Sequence, residues 1–346
     1  MFFYRIQQRE IVETLVAEQS RRKSAKGAYL IEVNTMKCIY EKNADLKLPN
    51  ASTTKIVTAL TALRLEQNIE RIITVPAIAQ NVEGSSIYLK KDEKLKLIDL
   101  LYGLMLQSGN DAAVTIAIGL SGTIEKFANE MNQTAYICGA LNSHFMNPHG
   151  LHNENHYTTA KDLALLSCKA MQNSIFKKIV STKAITITNT DGYSRYIINK
   201  NKLLSWMDNA VGIKTGYTLK AGRCLVAAAE NKEMTFIAVV LNCGPMFEEC
   251  RDMLNFGMNY YHIINPIKRN MVMGIYHDNN TLNRWFVIAK DDVCLLINNH
   301  EKFEPVIEMK FNNMNYIKDK SIIGTYNLII RDKIVYSGKL YAQKII

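Results

Sequence analysis

The sequence predicts an α/β (α+β) architecture, with an antiparallel sheet flanked by helices followed by a small C-terminal all-β domain. Three observations carry this. The chain has 346 residues, 48% hydrophobic and 21% charged, an ordinary globular composition long enough for two domains. Strand-like runs joined by short turns stand on either side of a helix-rich middle. The character then changes after Asn265-Pro266, where short alternating segments with Asn-rich turns begin. The organisation read from this is an N-terminal helical extension over 1–25, a main domain over 26–265 and a small β domain over 266–346.

The elements follow in order. Ile11, Leu15 and Val16 stand at helical spacing among charges and suggest a short amphipathic helix. Residues 28–33 (AYLIEV) and 37–41 (KCIYE) read as two strands joined at Asn34-Thr35. A polar approach containing Pro49 leads to a helix over 52–68, with Ile56, Val57, Leu60, Leu63 and Leu65 on its apolar side and Ser52 at its start. Residues 95–107 and 110–120 form apolar helical stretches interrupted at Ser108-Gly109. Helices follow at 123–138 and 159–172, separated by a polar Pro/Gly loop over 145–157. Strands return at 184–189, 195–199, 223–229 and 235–241, and a helix over 246–262 closes the main domain. Beyond it, 284–289, 293–297, 305–311 and 325–330 read as short strands.

Three short motifs stand in a suggestive order: Ser52-Thr53-Thr54-Lys55, Ser108-Gly109-Asn110 and Lys214-Thr215-Gly216. The first is weak alone, since roughly one or two S-x-x-K matches arise by composition in a chain this long. Two others, Ser20/Lys23 and Ser174/Lys177, are discarded. The ordered triple is the signal. A serine hydroxyl is a poor nucleophile until a base takes its proton. Lys55 lies one helical turn after Ser52, so their side chains share a face. Its ammonium must lose a proton to act as that base, and burial beside a second cation, Lys214, favours the loss. Ser108, at a break between helices, can relay a proton, and Asn110 offers both donor and acceptor to a substrate amide. Lys214 and the Thr215 hydroxyl can bind a carboxylate, while Gly216 permits close backbone approach. The N–H groups of Ser52 and Tyr217 would form a two-donor oxyanion hole. No cofactor is required.

The remaining composition narrows the partners. The net charge of +10 fits either a solvated basic surface or attraction to a polyanion or membrane surface. Nucleic acid is disfavoured, because no dense basic run with interleaved aromatics occurs. Seven scattered cysteines form no C-x-x-C pair, which argues against a disulfide framework or structural zinc. Four histidines crowd the 144–156 region (His144, His149, His152 and His156), but their spacing suits an irregular loop, and no metal is expected. No run approaches ~18 apolar residues, and the first residues lack the apolar core of a signal peptide.

With these residues in view, the chain resembles the serine-type D-alanyl-D-alanine carboxypeptidases, the low-molecular-mass penicillin-binding proteins; the three motifs also mark class A β-lactamases. The resemblance runs from about Lys26 to Asn265. It includes YEKNADLKLPNASTTKIVTAL, GSSIYLKKDEKLKLIDLLYGLMLQSGNDAA, FMNPHGLHNENHYTTAKDLALLS and GIKTGYTLKAGRCLVAAA. It implies a penicillin-binding-protein/β-lactamase-like fold. By position it implies Ser52 as acylated nucleophile, Lys55 as base, Ser108 as proton relay, Asn110 as substrate-positioning residue and Lys214 as holder of the terminal carboxylate. The implied reaction removes the terminal D-Ala of peptidoglycan stem peptides outside the cytoplasm, with β-lactams as covalent inhibitors and a possible peripheral association with the envelope.

There are departures. No export signal is visible, and the chain stops at a strand-like IVYSGKLYAQKII where many members carry an amphipathic anchor. Lys200 stands where some relatives have an arginine, keeping the charge without the bidentate fork. All three motifs are intact, which argues against a dead homologue. The alternatives are a D,D-endopeptidase of cross-links, using the same residues, and a non-catalytic penicillin- or peptidoglycan-binding homologue. A β-lactamase would need a deacylation base, and no Glu-x-x-Leu-Asn occurs.

Overall fold

In the computed structural model the described residues are 24–278, 283–299, 305–312, 317–330 and 332–345. The expected N-terminal helix around Ile11, Leu15 and Val16 lies outside them. The chain divides into two compact units, with the break after Asn259.

The first unit opens with a hairpin, β1 (Gly27–Glu32) and β2 (Cys38–Lys42). A 3₁₀ turn, Ala51–Thr54, then leads into α1 (Lys55–Leu65). β3 (Ile72–Thr74) pairs with β4 (Lys94–Lys96), and α2 (Leu97–Leu106), α3 (Asn110–Ser121) and α4 (Ile124–Ile137) follow. Next come α5 (Ala160–Met171), α6 (Ser174–Ser181), the hairpin β5 (Ala184–Thr188) and β6 (Ser194–Ile198), and the short α7 (Leu203–Trp206). Finally β7 (Ala210–Thr218), β8 (Gly222–Glu230) and β9 (Thr235–Leu241) precede α8 (Met246–Tyr260).

The central sheet has the order β2-β1-β9-β8-β7 and is antiparallel throughout. Its inner strands are Val/Ile/Ala runs with almost no exposure, because helices cover both faces. α8 packs so closely that a Cβ on Gly257 would stand 2.9 Å from the Phe236 ring. On another side, Gly27 of β1 meets Leu48 and Ala160 of α5. α1 is buried on nearly every side, including Thr58 and Thr61, which marks it as the central helix of this core.

Several sequence expectations shift. The helix expected over 52–68 is an α-helix only from Lys55 to Leu65, and Ser52 belongs to the preceding 3₁₀ turn. Ala51 at φ +48° sets that turn off from the approach segment. The start of the 95–107 helix is taken by β4, whose partner β3 gave no separate signal because a three-residue strand carries little periodicity. The strands expected at 184–189 and 195–199 pair with each other and stand apart from the central sheet.

The second unit, from Tyr260 onward, is all β. β10 (Tyr261–Ile267) pairs with a later strand, β13 (Val293–Asn298). A five-stranded antiparallel sheet holds β11 (Met271–His277), β12 (Arg284–Ala289), β14 (Val306–Phe311), β15 (Ile322–Ile330) and β16 (Lys333–Lys344) in the order β11-β12-β16-β15-β14. Its core gathers Trp285, Val287, Tyr326, Leu328 and Leu340. The helix expected to reach residue 262 ends at Tyr260, and β10 runs through Asn265-Pro266. Proline is tolerated there because the register with β13 shifts between Ile264 and Ile267. All seven cysteines are free thiols, four of them buried.

One ion pair ties the β5–β6 hairpin to the loop above the site. Arg195 donates to Glu93 Oε1 and Oε2 at 2.5 and 2.8 Å, and to the carbonyls of Ile87 and Tyr88 at 2.9 and 3.0 Å. Both side chains are under 10% exposed. Arg195→Met should therefore cost about 3–5 kcal/mol in urea unfolding, because it strands a buried carboxylate. Adding Glu93→Gln should restore part of that loss.

Candidate active site

The 3₁₀ turn that carries Ser52 is shaped by its neighbours. Asn50 donates to the Thr53 and Thr54 hydroxyls at 3.2 and 3.0 Å, and Thr53 Oγ1 donates back to the Asn50 carbonyl at 2.6 Å. The 145–157 loop clamps the same turn. Thr58 Oγ1 donates to the Pro148 carbonyl at 2.6 Å. His156 Nδ1 accepts from the Met146 N–H at 3.1 Å, so its Nε2 carries the proton and donates to Thr54 Oγ1 at 2.8 Å. Burial keeps this imidazole neutral, with its pKa lowered to about 4. Gly150, at φ +85°, lies so close to the turn that a Cβ would stand 1.9 Å from the Ala51 carbonyl oxygen. No other residue fits there.

Lys55 is fully buried, and its Nζ touches three oxygens: Ser52 Oγ at 3.0 Å, Asn110 Oδ1 at 2.6 Å and the His149 carbonyl at 2.9 Å. The Asn110 amide is oriented by its other end, which donates to the Glu83 carbonyl. Gly84, at φ +96°, allows that approach, since a Cβ would stand 2.8 Å from Asn110 Nδ2. Asn110 Oδ1 and the His149 carbonyl can only accept. A neutral Lys55 amine spends its two N–H bonds on them and turns its lone pair to Ser52, the one neighbour able to give up a proton. Burial first, then the charges of Lys214 and Lys200, push the Lys55 pKa well below that of an ordinary lysine, with Asp111 opposing.

The third motif lies on edge strand β7. Gly216 abuts the Ser52 turn, where a Cβ would stand 3.1 Å from the Ser52 amide nitrogen and 3.0 Å from that of Thr53. Lys214 is 1% exposed and donates to the Thr215 carbonyl at 3.0 Å. Burial and the nearby Lys200 lower its pKa to about 7. Lys200, on the exposed surface, reaches Ser85 Oγ at 3.2 Å. Thr215 is half-buried and Tyr217 is exposed.

Ser52, Lys55, Asn110 and Gly216 are thus brought together, and Lys214 is coupled electrostatically to Lys55. Ser108 is buried at φ +66°, two residues before Asn110, but it is not among the three oxygens on Lys55 Nζ. Asn110 is already engaged with Lys55 and Glu83. Sequence reasoning passed over Asn50, Asp111 and Gly150, weighed His156 only as one of four loop histidines, and missed the backbone carbonyl of His149, which carries no sequence signal. The four loop histidines make separate contacts: His144 with the Asn155 carbonyl, His152 with Glu154, His156 with Thr54, and His149 beside Lys55.

Residues 14–244 match the family profile of D-alanyl-D-alanine carboxypeptidase. The chain belongs to that family. It is 33% identical over 256 residues to D-alanyl-D-alanine carboxypeptidase DacF of Bacillus subtilis, covering 72% of this chain and 66% of the relative. The matched stretch spans 63–66% of the length of the first curated relatives. The Streptomyces K15 DD-transpeptidase structure superposes with a TM-score of 0.65 at 31% identity, covering 68% of this chain and 98% of that one. Penicillin binding protein 5 from Haemophilus influenzae shares the fold over 93% of this chain and 97% of its own, with a TM-score of 0.78 at 24% identity.

The segment over the site hangs on one carboxylate. Asp111, 2% exposed, accepts from the Ile87 and Leu89 N–H groups at 3.1 and 3.0 Å and from Ser86 Oγ at 2.6 Å. Asp111→Ala leaves those amides unpaired at about 1–3 kcal/mol each. A lower Tm and faster proteolytic cleavage within residues 83–90 are expected.

Proposed function

We propose that this chain is a serine-type D-alanyl-D-alanine carboxypeptidase. It removes the terminal D-Ala from peptidoglycan stem pentapeptides through an acyl-enzyme on Ser52. The observation that carries this reading is the 3.0 Å contact between Ser52 Oγ and the buried Lys55 Nζ, whose other two partners can only accept hydrogen bonds.

In the first step neutral Lys55 takes the Ser52 proton as Oγ attacks the scissile carbonyl. The N–H groups of Ser52 and Tyr217 receive the oxyanion, a placement supported by the approach of Gly216 to the Ser52 amide. Lys55 then returns the proton through Ser108 to the leaving D-Ala amine, and the peptide bond breaks. A water, deprotonated by the same lysine, releases the shortened peptide. Lys214 and Thr215 hold the terminal carboxylate. Asn110 orients Lys55 and the substrate. A β-lactam carries a strained amide that enters the same acylation, and one fold relative is named for penicillin binding. No nucleic acid and no cofactor enter the scheme.

We place this activity in the 26–265 segment, since every group named lies between Asn50 and Tyr217, and assign residues 266–346 no part in acylation. The substrate places the enzyme outside the cytoplasm, against the cell envelope. Among the described residues no helix is long and apolar enough to cross a membrane.

Ser52→Ala should abolish both release of D-Ala and labelling by a fluorescent penicillin. A peptide-mapped adduct on Ser108 or Ser174 in the unsubstituted chain would overturn the assignment. Lys214→Ala should lower kcat/KM for a peptide with a free terminal carboxylate far more than for its amide. The pH dependence has a definite sign. The Lys214 pKa is lowered to about 7, so in the free enzyme its positive charge fades as pH rises through that value. kcat/KM for the acid should fall above about pH 7, and the amide should lack that limb. Matching profiles for the two substrates would mean that Lys214 does not read the carboxylate.

A further inference from the structure

Resting on the carboxypeptidase reading, the order of groups along β7 gives the substrate a direction. The terminal carboxylate lies at Lys214 and the scissile carbonyl at Gly216-Tyr217. Whatever precedes the scissile bond therefore runs past Tyr217 toward the β7–β8 turn. Arg223 stands directly across the ladder from Tyr217, about 5 Å away between Cα atoms.

Arg223 is also part of the wall of a cavity of about 580 Å³, shared with Lys202, Trp206, Phe247 and Glu248. Backbone hydrogen bonds tie the elements that wall the cavity to those that build the site. On one side, the Cys243 N–H donates to the Arg223 carbonyl at 2.8 Å, and Arg223 Nη1 donates to the Gly244 carbonyl at 3.3 Å, seating the start of α8 against β8. On the other, α7 follows two residues after Asn201 and Lys200, whose N–H donates to the Leu106 carbonyl next to the Ser108 motif.

The chemistry of the cavity is specific. The Trp206 and Phe247 rings meet edge to face at 5.6 Å between centroids, and Lys202 Nζ sits 5.8 Å from the Phe247 centroid. Among the described residues neither Lys202 nor Arg223 forms an ion pair, and Glu248 is the one carboxylate in the lining. Two unneutralised cations over an aromatic floor suit an anion on an apolar stem. A guanidinium favours a planar carboxylate, which it can bind with two parallel hydrogen bonds. About four extended residues span ~13 Å, enough to carry such a group from the scissile bond past the turn.

We propose that this cavity is a subsite for a carboxylate-bearing aliphatic side chain upstream of the scissile bond, held by Arg223 and Lys202 over Trp206 and Phe247. It would select acidic stem peptides over neutral ones.

The test uses two acylated peptides ending in D-Ala-D-Ala and differing only in one upstream glutamyl group, present as free acid or as carboxamide. Affinity is measured calorimetrically on the full-length Ser52→Ala chain, so it does not depend on hydrolysis, and kcat/KM is measured on the unsubstituted chain. The acid should bind roughly tenfold more tightly than the amide. Arg223→Gln and Lys202→Gln should each bring that ratio toward one. Lys202 is exposed just before the short α7, so its substitution keeps the test meaningful even if Arg223→Gln disturbs the β8–α8 junction. Equal affinities in the parent chain, or a ratio that survives in both variants, would overturn the subsite. Failure to hydrolyse either peptide would instead sink the carboxypeptidase reading, and the calorimetric ratio would still decide the cavity.

Discussion

A single buried nitrogen organises this molecule. Lys55 Nζ has no exposure to water, and the parts of the first unit that matter for chemistry meet around it. The 3₁₀ turn brings Ser52 Oγ, the start of α3 brings Asn110 Oδ1, and the 145–157 loop brings the His149 carbonyl. An ammonium in such a place is unfavourable unless every donor is satisfied, and three oxygens satisfy it. The same burial lowers its pKa, so the arrangement that tolerates the charged form also makes the neutral form accessible.

The surrounding scaffold holds those three oxygens in place. Ala51 and Ser108, both non-glycine residues, adopt left-handed backbone conformations beside the site. Such conformations cost on the order of 1–3 kcal/mol each and persist when neighbours over-determine them. Here the neighbours are identifiable. Asn50 staples the Ser52 turn, His156 and Gly150 press the histidine-rich loop against it, and Asp111 with Arg195 and Glu93 pins the 86–90 segment. None of these side chains touches Lys55 Nζ, yet they set where its three oxygens lie.

Three lysines share this region, and their proximity links chemistry to stability. Lys200 and Lys214 both raise the cost of charging Lys55, and Lys200 does the same to Lys214. For Lys214 the unfolded chain holds its proton up to about pH 10.5, whereas the folded chain releases it near 7. Across that window the unfolded state binds more protons, so this group makes folding less favourable as pH falls from the upper value to the lower. An anion placed beside Lys214 reverses the effect.

Much of this was legible in the residue order alone. The three motifs named Ser52, Lys55, Asn110, Lys214 and Gly216, and family resemblance placed them in one fold, because a reaction centre needs particular residue types whatever surrounds them. Strand alternation and turn residues located the β1–β2 and β8–β9 hairpins and the change to an all-β second unit, since these signals are local. What the order of residues could not supply was contact between distant segments. The third oxygen on Lys55 is a backbone carbonyl, and every residue has one. Only packing decides that it belongs to His149. The residue order offered Ser108 as a proton relay and Asn110 as a partner for a substrate amide, but it is Asn110, held from behind by the Glu83 carbonyl, that contacts Lys55 Nζ. The cavity walled by Arg223 draws on α7, β8 and the start of α8, segments distant in sequence that only the fold brings together. Chemistry was written in residue types, and geometry arose where separate stretches of chain compete for the same buried space.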